Sequence, residues 1–340
     1  MADFTFLHNP ISHIWVISAP RRAKRPNEAE RHLTTCPFCS GGAAEAQEVY
    51  RISKSEILNK LSEDGKQTTE DRTQMTEDRE QKDGSQKSQS SVFRDPSSVV
   101  RHLSSDWSVL VVYNTFPFSP IHEVVIHSPD HLASFAELPL EHVDAIFQAY
   151  QHRYNEHSHK GQVIIFNNHG ISAGESLPHP HTQIAVVPFK VRIDAPELRS
   201  VVPQTGELRE ETESFVLMTP DVSQWPDEVW IAPKEKGKTF GQITDVQRRE
   251  LAYLVKQLVY IYDHRYNKDF PFNFYIYPGE HWYLRLIPRI KSIGGFELAT
   301  GIFVNTQSPE ETMSFIREHL KEPNLEKILK DQKAEYHRSV

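Results

Sequence analysis

Two segments of the chain show the same order of hydrophobic and polar positions. An apolar run begins each copy, at 123–135 and at 228–240, when the runs are aligned on their Glu-Val dipeptides. A helical pattern follows in both and ends in His-Arg-Tyr-Asn, at 152–155 and 264–267. Apolar segments of β type come next, and each copy closes on a histidine-containing stretch. A strand, a helix and two further strands, occurring twice, predict duplicated α+β units and not a doubly wound parallel sheet.

The duplication predicts two units, at residues 1–190 and 191–340. The second ends in an amphipathic helix whose start, Ser308-Pro-Glu-Glu311, combines an N-cap, a proline at the first helical position and a glutamate at the third. Residues 61–92 interrupt the first unit, because apolar residues almost vanish there and Thr-Glu-Asp-Arg occurs twice. Such a stretch cannot bury enough surface to offset the entropy of ordering it, so we predict a disordered loop.

Composition narrows the class of protein. The chain has 340 residues, 38% of them hydrophobic and 25% charged, which is typical of a soluble globular protein. No apolar run approaches the ~18 residues of a membrane span, and the N-terminus lacks the features of a signal peptide. We therefore expect a cytoplasmic protein without a membrane partner. The net charge of −8 provides no general attraction to nucleic acid, so phosphate binding would need locally concentrated positive charge.

The two cysteines of the chain, Cys36 and Cys39, are three positions apart. Two thiols cannot form a disulfide framework for a chain of this size, so half of a zinc site and a redox pair are the alternatives. The redox alternative is the weaker one, because a thioredoxin-type pair opens a helix, whereas Gly41 and Gly42 follow here. Eighteen histidines make zinc ligands available.

Three polar side chains follow one another at alternate positions, His179, His181 and Gln183. In a strand they would project from one face, while Pro180 on the other face indicates an edge strand or a strand end. Two histidines at this spacing also occur as partly buried or surface residues, so the pattern alone leaves both interpretations open. His122 and His127 fall within another predicted strand and are interpreted as packing or surface residues.

In its context, His179-Pro-His181-Thr-Gln183 resembles the galactose-1-phosphate uridylyltransferase branch of the histidine triad superfamily. That branch carries His-Pro-His-x-Gln where the hydrolase branches carry a third histidine. Further pieces match in the same order over roughly residues 5–320, apart from the predicted loop. They are Arg22-Ala-Lys-Arg25-Pro, Cys36-Pro-Phe-Cys39, Asn114-Thr-Phe-Pro, Ser128-Pro-Asp-His131, Phe166-Asn-Asn168-His-Gly170 and Gly295-Phe-Glu297. The resemblance implies two fused histidine-triad-type α+β units, mainly antiparallel sheets with packed helices.

The resemblance assigns catalysis to His181 and Gln183. A neutral imidazole can attack an α-phosphate directly, so His181 would carry the nucleotide between two displacements with ping-pong kinetics. Gln183 can donate a hydrogen bond to the phosphoryl group but cannot act as an acid or base, which favours transfer over hydrolysis. The resemblance also implies a set of substrate-binding residues. These are Arg22, Arg25, Asn114, Asn168, Ser176 and Glu297.

The same resemblance implies one structural zinc ion, held by a closed Cys2His2 set of Cys36, Cys39, His131 and His179. A metal bonded to His179 would fix the strand that carries the nucleophile. The family's second metal site uses a His-x-His that is replaced here by Arg285 and Ile287, so we predict no second metal. A glutamine that contacts hexose phosphate in the family is absent, since Phe303 stands near that position, which leaves the sugar specificity open.

Three functions follow from these residues. The first is transfer of UMP between UDP-glucose and a hexose 1-phosphate, for which the resemblance also implies a homodimer whose sugar site is completed across the dimer. The second keeps the same centre but cleaves an ADP-sugar or a dinucleoside polyphosphate with inorganic phosphate. The third is a regulator that binds nucleotide without catalysis, against which the intact His181 and Gln183 argue. In the two catalytic cases the partners are small phosphorylated molecules.

Overall fold

The computed structural model describes most of both copies of the repeat. The described residues are 4–8, 10, 14–24, 36–59, 106–131, 133–193 and 206–321, with the single positions 196, 198, 203 and 323. The loop predicted at 61–92 lies outside these residues, and so does Arg25. In the part of the chain that is described, no helix combines the length and the apolarity needed to cross a membrane.

The strands form one large antiparallel sheet and one small hairpin. In chain order the strands are β1 (Thr5–His8), β2 (Trp15–Ser18), β3 (Glu48–Ser53), β4 (Trp107–Tyr113), β5 (Ile121–Ile126), β6 (Gln162–His169), β7 (His181–Val187), β8 (Arg209–Glu211), β9 (Phe215–Met218), β10 (Val229–Pro233), β11 (Phe272–Ile276) and β12 (Leu284–Pro288). β1 pairs with β2 alone, and the other ten form a sheet in the order β3-β4-β5-β7-β6-β11-β12-β10-β9-β8. With its packed helices, this antiparallel sheet confirms the predicted α+β class.

Four helices are used below. They are α1 (Leu140–His157), α2 (Asp245–Tyr266), α3 (Gly295–Thr300) and α4 (Pro309–His319). α4 begins as the sequence predicts, because the Ser308 hydroxyl accepts the backbone N–H of Glu311 and Pro309 takes the first helical position. α1 and α2 pack on one face of the sheet, where their apolar residues join the core with Val125, Ile184 and Phe274.

The duplication is visible as a mirrored strand order. β5-β7-β6 of the first copy meets β11-β12-β10 of the second, so that β6 and β11 are neighbours at the centre of the sheet. α1 connects β5 to β6, and α2 connects β10 to β11. The two copies therefore share one continuous sheet instead of forming separate ones.

Buried ion pairs show which residues of the two copies are equivalent. Arg153 of α1 binds Glu123 through an Nη2–Oε1 contact of 2.7 Å, and Arg265 of α2 binds Asp227 through an Nε–Oδ2 contact of 2.7 Å. Glu123 thus corresponds to Asp227 and not to Glu228. The alignment on the Glu-Val dipeptides is therefore shifted by one residue from the structural equivalence. The two strands agree with this register, because Val125 and Val229, each two residues later, both face the helices.

The opposite face of the first half-sheet is covered by the segment that carries the two cysteines. Phe38 and Ala44 pack there against a cluster that includes Trp107 and Val124. The indole Nε1 of Trp107 also donates to Oε1 of Glu45 at 2.8 Å. This contact fixes the cysteine segment over β4 and β5, next to the start of β7.

Candidate active site

β7 begins at His181, immediately after Pro180, so the predicted strand end lies at the histidine pair. His181 is paired with Ile126, the last residue of β5, and Gln183 with Val124. His179 precedes the strand, and its side chain turns towards the cysteine segment. The side chains of His181 and Gln183 share the outer face of the sheet, as their spacing predicts.

The imidazole of His181 is held in one orientation. Its Nδ1 lies 2.8 Å from the carbonyl oxygen of His179, which can only accept, so Nδ1 carries the proton. In the neutral ring this leaves the lone pair on Nε2. The backbone carbonyl of His181 accepts a 2.8 Å hydrogen bond from the Asn167 amide, and the ring makes an edge contact with Phe38 at 5.2 Å between centroids. Nε2 is therefore the ring nitrogen that could act as a nucleophile.

A cavity of about 220 Å³ opens beside this imidazole, between the cysteine segment and β4. The predicted residues His181, Gln183, Asn114 and Ser176 all line it, and Ser176 is itself 9% exposed. The remaining walls are mostly apolar. They are formed by Pro37, Phe38, Ala43, Ala44, Gln47, Val112, Tyr113, Thr115, Phe116, Val124 and Leu177. An apolar cavity with a few convergent polar groups at one end is typical of a small-molecule site.

His122 belongs to this site, although the sequence was interpreted differently. Its Nε2 lies 3.0 Å from Oε1 of Gln183 and 3.2 Å from Nδ2 of Asn114, and the residue is 3% exposed. The period of β5 places His122 on the same outer face as Val124, which is a signal that the strand pattern contains. The sequence alone does not show that this face carries β7's polar residues.

Arg22 lies at the edge of the cavity, in a short 3-10 segment, Pro20–Lys24. Its Nη1 donates to the backbone carbonyl of Phe116 at 2.8 Å, and its guanidinium carbon lies 4.7 Å from the ring centroid of Phe118. These contacts hold the guanidinium near a wall of the cavity, where the sequence predicts a phosphate contact.

Asn168 is oriented by the second copy of the repeat. Nδ2 of Asn273, on β11, donates to Oδ1 of Asn168 at 2.8 Å and to the carbonyl of Ala173 at 2.9 Å. Nη1 of Arg289 donates to Oδ1 of Asn273 at 2.9 Å, which fixes the Asn273 amide in turn. Because Oδ1 of Asn168 accepts from Asn273, the NH2 group of Asn168 points away from Asn273. Neither Asn273 nor Arg289 was predicted, since only the β6–β11 pairing brings them to the site.

The turn between β6 and Ser176 depends on two glycines and a buried carboxyl group. Gly170 has a φ of +82°, and a Cβ there would lie 2.8 Å from Cβ of Pro271. Gly174 also has a positive φ, +84°. The backbone N–H of Gly170 donates to Oε2 of Glu175 at 3.0 Å, and burial raises the pKa of Glu175 to about 7.

The four predicted metal ligands come together next to His181. The ligand atoms of Cys36, Cys39, His131 and His179 all lie within 4.8 Å of one another. Gly41, with φ +72°, turns the chain after the cysteines, and a Cβ on Gly42 would lie 2.4 Å from the carbonyl oxygen of Pro37. Both glycines are thus needed for the turn that follows the two thiols.

The chemistry of this cluster fits a zinc ion. Nε2 of His179 lies 2.7 Å from the carbonyl oxygen of Ser128, so it carries the proton and the lone pair of Nδ1 faces the two sulfurs. Burial lowers the pKa of His179 to about 4, which keeps the ring neutral. Burial and the neighbouring Cys36 raise the pKa of the Cys39 thiol to about 11, so two adjacent thiolates require a cation.

The equivalent strand of the second copy carries different chemistry. Because Thr182 pairs with Val125 and Leu286 pairs with Val229, the position of His181 is taken by Arg285 and that of Gln183 by Ile287. Nε of Arg285 lies 2.8 Å from Oε1 of the buried Glu228. The second copy therefore has a buried ion pair at the position that His181 takes in the first copy.

Glu297 lies apart from the cavity. Its carboxylate accepts from the backbone N–H of Gly294 at the start of α3 and from Nζ of Lys291, at 3.1 and 3.3 Å. It is not among the described residues that line the cavity.

Comparison with known families identifies the chain. The model of "Galactose-1-phosphate uridyl transferase, N-terminal domain" matches residues 106–188, and that of the C-terminal domain matches residues 151–327. The second match alone covers more than half of the chain. The chain belongs to the galactose-1-phosphate uridyl transferase family. This confirms the predicted family and, at the level of enzyme class, nucleotidyl transfer.

Two relatives of the family resemble this chain over almost its whole length. The ADP-glucose phosphorylase of Arabidopsis thaliana is 26% identical, over 91% of this chain and 91% of its own. The galactose-1-phosphate uridylyltransferase of Thermotoga maritima is 25% identical, over 92% and 97%. The crystal structure of the Arabidopsis ADP-glucose phosphorylase with bound ADP-glucose has a TM-score of 0.58 at 24% identity, covering 93% of this chain and 99% of that one. It shows that the fold is shared.

Proposed function

We propose that this enzyme transfers a nucleoside monophosphate from a nucleotide sugar to a phosphorylated acceptor, with His181 as the covalent carrier. The observation that carries the proposal is the hydrogen bond from Nδ1 of His181 to the carbonyl of His179, since it leaves the lone pair on Nε2 of a ring that lines the cavity. The cavity with Gln183, Asn114 and Ser176 lies beside the same ring.

In the first half-reaction, Nε2 attacks the α-phosphorus of the nucleotide sugar. A P–N bond forms and the P–O bond to the sugar 1-phosphate breaks, so that the sugar 1-phosphate leaves as an anion and needs no proton. Nδ1 keeps its proton, and the His179 carbonyl stabilises the positive charge that develops on the ring. In the second half-reaction, a phosphate oxygen of the acceptor attacks the phosphorus and the P–N bond breaks.

Gln183 and Asn114 supply amide groups in the cavity beside His181, and Asn168 lies at a small neighbouring pocket that His181 also lines. An amide N–H stabilises the charge that increases on the phosphoryl oxygens during attack. Gln183 cannot deliver a proton to a leaving group or take one from water. The site therefore favours leaving groups and acceptors that are already phosphate anions.

We assign the Cys36, Cys39, His131 and His179 cluster to one zinc ion. When bound, zinc would act structurally, since all four positions of a tetrahedral site are taken by protein. It would hold His179, whose carbonyl orients the nucleophile, against the segment that forms the cavity wall. Metal-binding thiols must stay reduced, which supports the expected cytoplasmic location.

Two donor and acceptor pairs fit this centre. UDP-glucose with a hexose 1-phosphate is supported by the family and by the Thermotoga relative. ADP-glucose with inorganic phosphate is supported by the Arabidopsis relative and by the replacement, near Phe303, of the glutamine that contacts hexose phosphate in the family.

Mass spectrometry of the protein after incubation with each nucleotide sugar tests the proposal. A covalent increment equal to UMP or AMP on the His181 peptide would identify both the carrier and the base. Assays of UDP-glucose plus galactose 1-phosphate, and of ADP-glucose plus phosphate, then separate the two pairs. Nucleotide binding without an adduct in active samples would contradict the mechanism.

We also infer a homodimer. Ile293, Phe296, Leu298 and Ile302, which surround Glu297, are 39–76% exposed, and such a concentration of exposed apolar side chains is typical of a protein interface. A sugar site completed across the dimer would also account for the position of Glu297 outside the cavity. Light scattering after gel filtration should give twice the mass of one chain. In Leu298→Glu the measured mass should decrease towards that of a single chain.

A further inference from the structure

A buried imidazole that the proposed chemistry does not use lies directly behind Gln183. His122 contacts Oε1 of Gln183 through Nε2 at 3.0 Å. Its ring packs on Phe118 with centroids 4.2 Å apart, and Phe118 in turn underlies the guanidinium of Arg22. His122 thus joins three parts of the site, Gln183, Asn114 and the Arg22 segment, without lining the cavity itself.

The backbone determines which nitrogen of His122 carries the proton. The N–H of Phe118 points to Nδ1 at 3.3 Å, and a backbone N–H can only donate. Nδ1 therefore offers its lone pair, and a neutral imidazole must then carry its single proton on Nε2. Facing this N–H, the Gln183 amide has to present its oxygen. Its NH2 group is turned away from His122.

Asn114 responds to the same proton. Its Oδ1 accepts the backbone N–H of Phe116 at 2.8 Å, so the atom that lies 3.2 Å from Nε2 of His122 is Nδ2. A protonated Nε2 cannot accept from that NH2 group, which needs an acceptor from elsewhere. Both amides line the cavity, where a phosphoryl group would supply acceptor oxygens.

We infer that His122 is a positioning residue that holds Gln183 with its NH2 group towards the transferred phosphoryl group. The inference rests on the proposed function, because it specifies how the amide of that site is oriented. The terminal torsion of a glutamine has two broad wells that exchange oxygen and nitrogen. Without the His122 donor, the amide can place its oxygen against the anionic phosphate, where it repels instead of stabilising.

The experiment measures single-turnover nucleotidylation of His181 by UDP-glucose and ADP-glucose in a set of variants. His122→Phe keeps the ring packing and removes the donor. It should slow nucleotidylation by roughly ten- to a hundredfold, which does not exceed the rate decrease caused by removing a group that donates directly to the transition state. His122→Gln places an NH2 group near the position of Nε2 and should recover most of that rate. In a Gln183→Ala background, His122→Phe should have almost no further effect, because both changes act through one interaction.

His319→Phe is the matched control, since His319 is another buried imidazole packed on a phenylalanine, in α4 and away from the site. It should leave the nucleotidylation rate unchanged. Zinc content and melting temperature report folding for each variant. If His122→Phe slowed nucleotidylation by the same factor in the wild type and in Gln183→Ala, the effect would be a general structural one and the inference would be overturned. A wild-type rate in His122→Phe would also overturn it, as would a His122→Gln that stays slow with its zinc bound.

A measurement on the unmutated side chain covers the case in which His122→Phe does not fold. The ¹⁵N shifts of His122 should show the Nε2–H tautomer in the wild type, and the Nε2 signal should move in Gln183→Ala. A proton on Nδ1 would overturn the inference. Wild-type protein that forms no adduct with either nucleotide sugar would contradict the proposed function itself. An adduct that forms at the same rate with and without His122 would contradict only the present inference.

Discussion

At the scale of single residues, the site is a set of side chains whose hydrogen-bonding directions are fixed by backbone groups. The carbonyl of His179 determines the tautomer of His181, and the carbonyl of Ser128 determines that of His179. Backbone groups cannot exchange donor for acceptor, so these assignments do not depend on neighbouring side chains. The proposed nucleophile His181 is therefore oriented by the backbone of the proposed metal ligand His179, and His179 is oriented by the backbone at Ser128.

Replacing His181 by Ala should abolish the exchange of labelled sugar 1-phosphate into nucleotide sugar, a loss of at least about 10³-fold, because no other group can carry the nucleotide. Zinc content should stay near that of the wild type, since His181 is not a ligand. Exchange kinetics and metal analysis on the same sample check both statements. Persistent exchange would mean that the nucleophile is another residue.

Glu175 gives a pH dependence of stability. Its pKa is raised by burial to about 7 in the folded protein, above its value in the unfolded chain. The folded state therefore binds a proton that the unfolded state has lost, and this contribution to stability decreases as the pH rises from about 4.5 through 7. Glu175→Gln keeps an acceptor for the N–H of Gly170, so its free energy of unfolding should fall less over this range. Urea unfolding at several pH values measures this free energy for both proteins. Plots of the free energy of unfolding against pH that run parallel for the wild type and Glu175→Gln would contradict the raised pKa of Glu175.

At the scale of elements, the short turns next to the strands position the residues of the site. The turn that carries Cys36 and Cys39 forms one wall of the cavity as well as half of the metal cluster. The turn from Gly170 to Ser176 is held through Ala173 by a strand of the other copy. The proposed metal cluster and the pairing of β6 with β11 thus stabilise two turns whose other residues line the cavity or lead to Ser176.

Cys36→Ser should lower zinc occupancy and melting temperature together, because the cluster loses a thiolate and the turn loses its cross-link. Ser40→Ala, an exposed position in the same turn, is the matched control and should change neither. Metal analysis and thermal unfolding provide the readout. Unchanged zinc content in Cys36→Ser would remove the Cys2His2 assignment.

Asn273→Ala should weaken substrate binding although the residue lies in the second copy. Its loss releases the amide of Asn168 and the carbonyl of Ala173, and we expect KM for the nucleotide sugar to rise about five- to tenfold. Asn305→Ala removes a comparable side-chain-to-carbonyl hydrogen bond, to Ser223, away from the cavity, and should leave KM unchanged. Equal KM values for the two variants would contradict a role of β11 in the site.

The sequence revealed those parts of the site that are close together along the chain or resemble a known order. His179, His181 and Gln183 follow from the period of a strand, and Cys36 and Cys39 from their spacing. Asn273 and His122 could not be found in this way, because they meet Asn168 and Gln183 only through the pairing of β11 with β6 and of β5 with β7. The repeat register was missed by one residue, since the Glu-Val dipeptides are more alike than the ion-paired Glu123 and Asp227.

At the scale of the whole molecule, one sheet and one core unite the two copies. Arg153→Met and Arg265→Met each remove the guanidinium from a buried carboxylate, which leaves His157 at Glu123 and the neutral Tyr266 and Gln307 at Asp227, and each should cost about 3–5 kcal/mol of stability. Both losses should appear in a single unfolding transition of the zinc-loaded protein. Arg317→Met, at a half-exposed contact with Glu210, should cost less than about 1 kcal/mol. Calorimetry showing two transitions, only one of which moves in each variant, would contradict a common core.

The adjacency of β6 and β11 has a consequence for any attempt to shorten this protein. A fragment ending near residue 190 would keep His181 and the four cysteines and histidines of the proposed metal cluster, yet would leave β6 as an open edge with unpaired backbone groups. Such an edge recruits other chains, so the fragment should associate with itself through the strand that bears Asn168. The second copy, which has Arg285 at the position of His181, thus covers a strand edge that the first copy would otherwise expose.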